Sequence, residues 1–492
     1  MKKDIILTTI NAKWIHPSLS LRLLKANLGS LEDRSEIIEF TLRQRLDEKV
    51  QPLLAVKPRI LGISVSIWNH TQTTELLEEL RKAWMVKPII ILGGPEVSYL
   101  YSDAKIFQFA DYVIRGEGET AFRLLCEDLL CNKNNFPHPI PKEIISGEQV
   151  DPGKIKTAYH LYTDEDIFKK LIYVESSRGC PFKCEFCSSS NDNSVREFPV
   201  DKFLSEMEIL IKRGVKTFKF LDRSFNINIK RSIQILRFFL DKINDPCASP
   251  LLRGEKFGIN NSSLYNPPFV VHFEMVPSVF PPELREILAR FPVRSLRLEI
   301  GIQSLNREVS ARIGRACDPE KELEALRFLR EKTNAIIHAD LIAGLPGEDL
   351  ASFGRGFDLL LSAVSGNAMQ EEDNHRLEIQ IGILKLLPGA PVARHNDAFA
   401  MRYNQMPPYE VIETSSISAN DISRIKNFAR FWEIIINRRL VTLPEKKPVF
   451  DRFMKLSDSL FTHFGRNWGI EKKPLFDKIN EITDGNINNF FS

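Results

Sequence analysis

The sequence predicts an α/β chain: a doubly wound domain over residues 1–135, a linker over 136–170, a partial (β/α)6 barrel over 171–395 and a mainly α-helical domain over 396–492. Three observations predict it. Short apolar runs alternate with longer amphipathic ones in two series, the pattern of a parallel sheet flanked by helices. The two series are separated by a polar, proline-punctuated stretch, Phe136-Pro-His-Pro-Ile-Pro141. From about residue 400 the alternation stops and helical periodicity takes over.

In the first series, strands are expected at residues 4–10, 36–40, 60–67, 88–92 and 111–114. Helices with apolar residues three and four apart are expected at 19–28, 42–54, 71–84 and 120–130. A sheet wound this way holds ligands beyond the carboxyl ends of its strands. The turns there read Asn11-Ala-Lys-Trp-Ile-His16, Trp68-Asn-His70, Gly93-Gly-Pro95 and Arg115-Gly-Glu-Gly118, and their glycines let backbone approach a bulky ligand. In the second series, strands are expected at 171–176, 217–221, 269–275, 295–300, 335–342 and 377–386, with helices at 202–212, 229–243, 282–290, 320–332 and 350–361. Six such units make an incomplete parallel barrel with chemistry at the carboxyl ends of its strands. Residues 245–268, rich in Pro, Gly, Asn and Ser, read as a surface insertion, and helices follow at 421–440 and 449–464.

Composition narrows the function classes. A formal charge of +3 from 67 basic and 64 acidic residues leaves no polybasic footprint, so no nucleic-acid partner is expected. No apolar stretch is long enough to span a membrane, and Met1-Lys-Lys-Asp-Ile-Ile-Leu-Thr-Thr-Ile10 lacks a signal-peptide core and cleavage site. Seven cysteines, three of them clustered, suit a reducing compartment, and a cytoplasmic location is expected.

The cluster is Cys180-Pro-Phe-Lys-Cys184-Glu-Phe-Cys187, just past the first barrel strand. Cys180, Cys184 and Cys187 are too close in sequence to staple distant segments, and their convergence in one loop is a metal-site pattern. A structural zinc site wants four ligands, whereas an iron-sulfur cluster on three thiolates keeps one iron free. A zinc site completed by His160 or His272 is the alternative. The spacing, with Phe186 before the third cysteine and Arg178-Gly179 before the first, resembles the radical S-adenosylmethionine superfamily. The resemblance implies a [4Fe-4S] cluster that chelates S-adenosylmethionine and reductively cleaves it to a 5'-deoxyadenosyl radical. It also implies a low-potential electron donor such as flavodoxin or ferredoxin.

Further segments resemble the coproporphyrinogen-oxidase-like branch: His272-Phe-Glu274-Met, Glu299-Ile-Gly-Ile-Gln303-Ser, Asp340-Leu-Ile-Ala-Gly-Leu-Pro-Gly-Glu348 and Lys385-Leu-Leu-Pro-Gly-Ala-Pro391. That resemblance implies S-adenosylmethionine contacts at Glu274, Gln303, Arg315 and Asp340, beside Phe186. Each has a bland alternative as an ion-pair, turn or surface residue. Asp222, at the second strand end, is expected at the same mouth as a substrate- or adenosine-orienting group, or in a salt bridge to Arg223 or Arg178.

The first domain resembles the cobalamin-binding module of many radical enzymes through Ile91-Leu-Gly-Gly-Pro-Glu96 and Asp111-Tyr-Val-Ile-Arg-Gly-Glu-Gly-Glu119, which implies cobalamin contacts at Gly93, Gly94, Gly116, Glu117 and Gly118. The usual Asp-x-His-x-x-Gly ligand signature is absent. His16 is then the candidate cobalt ligand, or only caps the helix opening at Pro17 and Ser18 while cobalamin binds with no protein ligand, or the module is an empty relic; Trp14 and Trp68 are candidates to shield the corrin or to pack the core. The tail resembles the domain that follows the barrel in one such group, through Pro407-Pro-Tyr-Glu-Val-Ile-Glu413. The expected function is a cobalamin-dependent radical enzyme acting as a C-methyltransferase on an unknown substrate. A cobalamin-dependent rearrangement, cyclisation or redox step and a non-catalytic metal- or cobalamin-binding sensor are the alternatives. Methylthiolation is disfavoured, because only Cys126 and Cys131 precede the motif. Cys126, Cys131, Cys247 and Cys317 read as buried or incidental thiols.

Overall fold

The computed structural model describes residues 3–101, 103–131, 143–192, 194–245, 267–315, 318–364, 377–441 and 448–485. Cys247, Cys317 and nearly all of the expected insertion lie outside these residues. The first domain runs β1 (Ile5–Asn11), α1 (Leu19–Ala26), β2 (Ser35–Thr41), α2 (Leu46–Val56), β3 (Ile60–Ser64), α3 (His70–Ala83), β4 (Ile89–Gly93), β5 (Tyr112–Gly116), α4 (Glu119–Cys131) and β6 (Glu143–Gly147). Its strands lie in the order β2-β1-β3-β4-β5-β6, and every pairing is parallel.

Both faces of this sheet are covered, which is why its strands read as nearly continuous apolar runs. Ile6, Ile10, Leu61 and Ile63 pack with Leu76, Leu77 and Leu80 of α3 on one face. Ile5 and Leu7 pack with Leu21, Phe122 and Cys126 of α1 and α4 on the other. The expectation of five strands and a linker over 136–170 needs correction. Residues 143–147 pair with β5 as a sixth strand, and Asp164–Lys169 forms a short helix, α5. The prolines and polar residues before it mask the strand.

The second domain begins with β7 (Ile172–Val174), the two-residue strands β8 (Ser177–Arg178) and β9 (Arg196–Glu197), α6 (Val200–Arg213), β10 (Thr217–Phe220) and α7 (Ile229–Asn244). It continues with β11 (Val270–Met275), α8 (Pro282–Ala289), β12 (Leu296–Gln303), α9 (Arg307–Arg312), α10 (Pro319–Lys332), β13 (Ile336–Ala343), α11 (Leu350–Val364) and β14 (Leu377–Ile383). The main strands form an open parallel sheet in the order β14-β13-β12-β11-β10-β7, as expected for a partial barrel. Alternation sorts its residues. Phe218, Phe220 and Phe273 are fully buried, while Lys219, His272 and Glu274 between them are half-buried on the opposite face.

Beyond the barrel, a hairpin of β15 (Arg402–Tyr403) and β16 (Val411–Glu413) precedes α12 (Ala419–Trp432), α13 (Phe450–Phe464) and α14 (Lys472–Ile482). The tail is mainly helical, as expected, with the hairpin at its start; its strands are too short to show an alternating pattern. Phe428 and Trp432 pack edge-on and Phe450 tilted against Phe357 of α11, so tail and barrel share one core.

Candidate active site

The cysteine run starts where β7 ends. Pairing of β8 with β9 closes the chain between them into a loop that carries all three cysteines. Gly179 opens the loop at φ +86°, where any Cβ would run into the Ser194 carbonyl, so only glycine fits. Asp222 anchors its base: at 1% exposure it accepts Ser176 N at 2.9 Å, Ser176 Oγ at 2.6 Å and Ser177 Oγ at 2.7 Å. These bonds correct the expectation of Asp222 at the mouth. Its carboxylate is fully engaged under the β7–β8 turn and pairs with neither Arg223 nor Arg178. On the loop's far side, Glu185 binds Arg394 and His395, the latter at 2.8 Å, which ties the post-barrel segment to the cysteines.

Cys180, Cys184, Cys187 and Phe186 line one wall of a cavity of about 260 Å³. The same cavity is lined by Glu274, Glu299, Gln303, Arg315 and Asp340 from β11, β12, β13 and the segment after α9. The structure thus gathers the three cysteines and all four expected ligand contacts around one space. Burial pushes the Cys184 thiol up, and the Arg315 guanidinium opposes that. Arg315 also donates to Gly301 O at 2.6 Å and pairs with buried Glu322 at 3.1 Å. Gln303 sits at φ +67° on a bulge between Gly301 and itself, with its amide folded back over Gly301. A non-glycine residue held there costs on the order of 1 kcal/mol, and such strain clusters at ligand sites.

The three carboxylates are not equivalent. Glu299 is held down to about 2 by His272 and, against its burial, by Lys219 at 3.0 Å. Burial raises Glu274, with Arg223 at 3.7 Å opposing. Asp340 has no hydrogen-bond partner among the described residues; burial, then Glu299 and Glu274, push it up to about 8. A buried acid without a fixed partner is suited to a cationic ligand that arrives later.

The donor set fits a cluster carrying an amino-acid ligand better than a bare ion. Three thiols share one cavity with carboxylates and a guanidinium. Among the described residues, no three His, Cys, Asp or Glu are arranged to hold a single metal ion. His160 faces Glu32 at 3.6 Å and His272 faces Glu299 at 3.3 Å, so neither joins the thiols as a zinc ligand.

A second cavity, of about 500 Å³, lies beyond the carboxyl ends of β3, β4 and β5 and reaches down past Leu24 and Phe122. Gly93, Gly94, Gly116, Glu117 and Gly118, expected from the motifs, all line it. At Gly94, φ +103°, a Cβ would lie 2.6 Å from Val65 O. The barrel supplies the facing wall with Glu175, Arg178, Ser188, Ser189, Leu221 and Arg223. Ser189 and Arg223 line both cavities, so the two spaces meet there.

Arg178 locks the two domains together at this border. It pairs with Glu119 at 2.7 Å, Glu175 at 2.8 Å and Glu117 at 3.5 Å, while Arg196 holds Glu117 at 2.8 Å. In the sequence Arg178 stands out only as part of a motif. Its role depends on acids 59 and 61 residues upstream, which no local pattern reveals. Ser189 and Arg223 were missed as site residues for the same reason.

His16 and the two tryptophans lie elsewhere. His16 does not line the cavity; its Nδ1 is 2.8 Å from Tyr173 Oη of β7, an aromatic contact across the domain border. Trp14 and Trp68 are about half exposed and also outside it, Trp68 donating to Ile10 O at 3.2 Å. Cys126 is buried in α4 and Cys131 is exposed at its end, both away from the cluster loop. No helix among the described residues is long and apolar enough to cross a membrane.

Comparison with known proteins agrees with this geometry. Residues 5–126 match the B12 binding domain and residues 174–360 the Radical SAM superfamily. A curated relative, 2-(S-pantetheinyl)-carbapenam-3-carboxylate methyltransferase from Streptantibioticus cattleyicolor, is 24% identical over 68% of this chain and 48% of its own length. The chain therefore spans about half the length of this relative. Among solved structures, the cobalamin-dependent S-adenosylmethionine radical enzyme OxsB, with aqua-cobalamin and S-adenosylmethionine bound, superposes with TM-score 0.63 at 16% identity over 97% of this chain and 75% of its own. The radical S-adenosylmethionine methyltransferase TsrM from Kitasatospora setae, with cobalamin and a [4Fe-4S] cluster bound, gives 0.58 at 17% over 82% and 78%.

Proposed function

Since this chain joins a B12 binding domain to a domain of the radical S-adenosylmethionine superfamily, we propose that it is a cobalamin-dependent enzyme that cleaves S-adenosylmethionine and transfers a methyl group to carbon. The observation that carries this reading is the shared wall. A cavity lined by three cysteines and an apolar cavity of the B12 binding domain meet at Ser189 and Arg223. When bound, the [4Fe-4S] cluster supplies the electron that breaks the sulfonium bond, and cobalamin supplies the methyl group.

The residues divide the remaining work. Cys180, Cys184 and Cys187 hold the cluster. Asp340 and Glu274 receive the ligand's ammonium group, Arg315 its carboxylate, and Gln303 its polar edge, because a flexible ligand reacts selectively only when held in one pose. Gly93, Gly94 and Gly116 to Gly118 leave backbone bare against the corrin. Arg178 keeps both halves in register. The reductant is a low-potential electron donor of the flavodoxin or ferredoxin kind.

The test is anaerobic reconstitution with iron, sulfide and cobalamin, then reduction in the presence of S-adenosylmethionine. Wild type is expected to release 5'-deoxyadenosine and Cys184→Ala none; release from the variant would remove the cluster assignment. With S-adenosyl-[methyl-¹³C]methionine and a cell extract, methylation predicts a product carrying one labelled carbon. A cyclisation or redox step predicts none.

A further inference from the structure

Three side chains that the chemistry above leaves unused converge on one spot. His70 ends the Trp68-Asn-His70 turn, Glu96 ends Gly93-Gly-Pro-Glu96, and Tyr409 belongs to Pro407-Pro-Tyr-Glu410 in the tail. Glu96, with its side chain 2% exposed, accepts His70 Nδ1 at 2.8 Å and Tyr409 Oη at 2.6 Å on the same oxygen. Tyr409 sits at φ +56°, an unfavourable backbone state for a ring-bearing residue. A carboxylate that fixes Nδ1–H leaves Nε2 as an acceptor, and His70 Nε2 has no partner among the described residues.

His70 and Tyr409 lie on the wall of a third cavity, of about 1280 Å³, between the first domain and the post-barrel hairpin. Its surface is largely apolar, with Leu386, Leu387, Met401, Tyr403 and Met406 opposite Tyr99 and Tyr101. Tyr99 also lines the cavity of the B12 binding domain. It packs on Gly389, φ +75°, where a Cβ would lie 2.5 Å from the ring, and Gly389 O accepts Asn191 of the turn after Cys187 at 3.2 Å. One tyrosine ring thus lines both this space and the cavity of the B12 binding domain.

We propose that this third cavity binds the methyl-accepting substrate, an uncharged and largely apolar organic molecule larger than a single amino acid, through an N–H or O–H donor to His70 Nε2. The cavity has room for such a molecule, since pockets for drug-sized ligands run about 300–1,000 Å³ and this one is larger. The walls supply apolar burial and His70 supplies the directional contact. Glu96 and Tyr409 are positioning residues that act through His70. Naming the occupant as methyl acceptor rests on the proposed function; the binding site itself does not.

The test uses the full chain, loaded with cobalamin, and N-phenyl-1-naphthylamine, a neutral apolar fluorophore with a single N–H. Its N-methyl derivative is the control. Saturable emission is expected with wild type, with about fivefold weaker binding of the N-methyl control, the range for one hydrogen bond in an apolar site. His70→Ala should abolish that preference. Met406→Lys, at a side chain 63% exposed and so safe for folding, should weaken both probes by placing a charge at the lip. Absence of saturable binding, or binding indifferent to both substitutions and to N-methylation, would overturn the proposal. Loss of 5'-deoxyadenosine formation with probe binding intact would instead sink the proposed function and leave the site standing.

Discussion

Asp340→Asn separates a ligand-binding role from a structural one. Asp340 is pushed up to about 8 from an ordinary 3.8 by burial and by Glu299 and Glu274, so at pH 7 the folded chain keeps it protonated while the unfolded chain ionises it. Stability is therefore unaffected below the ordinary value, falls as pH rises towards 8, and levels off above it. About three pH units lie between 3.8 and 7, each worth about 1.4 kcal/mol, which sets a ceiling of about 4 kcal/mol. Relaxation of the site reduces this, and a stabilisation of about 2 kcal/mol is expected when asparagine removes the acid. The assay is urea unfolding of the cofactor-free chain at pH 4 and pH 8. The midpoint of Asp340→Asn should exceed wild type at pH 8 and match it at pH 4. The same substitution should weaken S-adenosylmethionine binding and flatten its pH dependence, whereas wild-type affinity should rise as pH approaches 8. Equal stability at both pH values, or lower stability at pH 8, would refute the reasoning.

Three further substitutions probe the scaffold. Gly179→Ala forces a Cβ into the Ser194 carbonyl at φ +86° and is expected to lower iron bound per chain after reconstitution while far-ultraviolet circular dichroism stays native. Arg178→Met strands Glu119 and Glu175 at the domain border, at a cost of about 3 kcal/mol, and should weaken cobalamin binding in an equilibrium titration because Glu117 lines that cavity. Asp222→Asn weakens three hydrogen bonds under the cysteine loop and should cost about 1–3 kcal/mol in urea, with 5'-deoxyadenosine formed per bound cluster unchanged. A lost rate per cluster would return Asp222 to the chemistry.

The parts of this fold legible in the sequence are those with local periodicity. All five strands expected in the first domain and all six in the barrel are present, because buried strands and amphipathic helices each write a repeat into a dozen residues. The two-residue strands β8 and β9 are not legible, since so short a segment carries no repeat, and β6, as long as β3, β4 and β5, is hidden by the polar, proline-punctuated residues that precede it. The candidate site divides the same way. Cysteine spacing and strand-end motifs located Glu274, Gln303, Arg315 and Asp340, all lining one cavity. Asp222 was misassigned because a strand-end position does not say which way a carboxylate turns, and two serines beside it capture this one. Arg178 and the His70, Glu96 and Tyr409 trio depend on residues up to 339 positions apart, which only the folded chain brings together.

The central claim, one continuous site for two cofactors, is most directly tested by electron paramagnetic resonance of the anaerobically reconstituted chain, with the cluster reduced and cobalamin in its cob(II) state. Adjoining cavities predict that each signal is broadened or split by the other and narrows when either cofactor is withheld. Two unperturbed spectra that simply add together would contradict it.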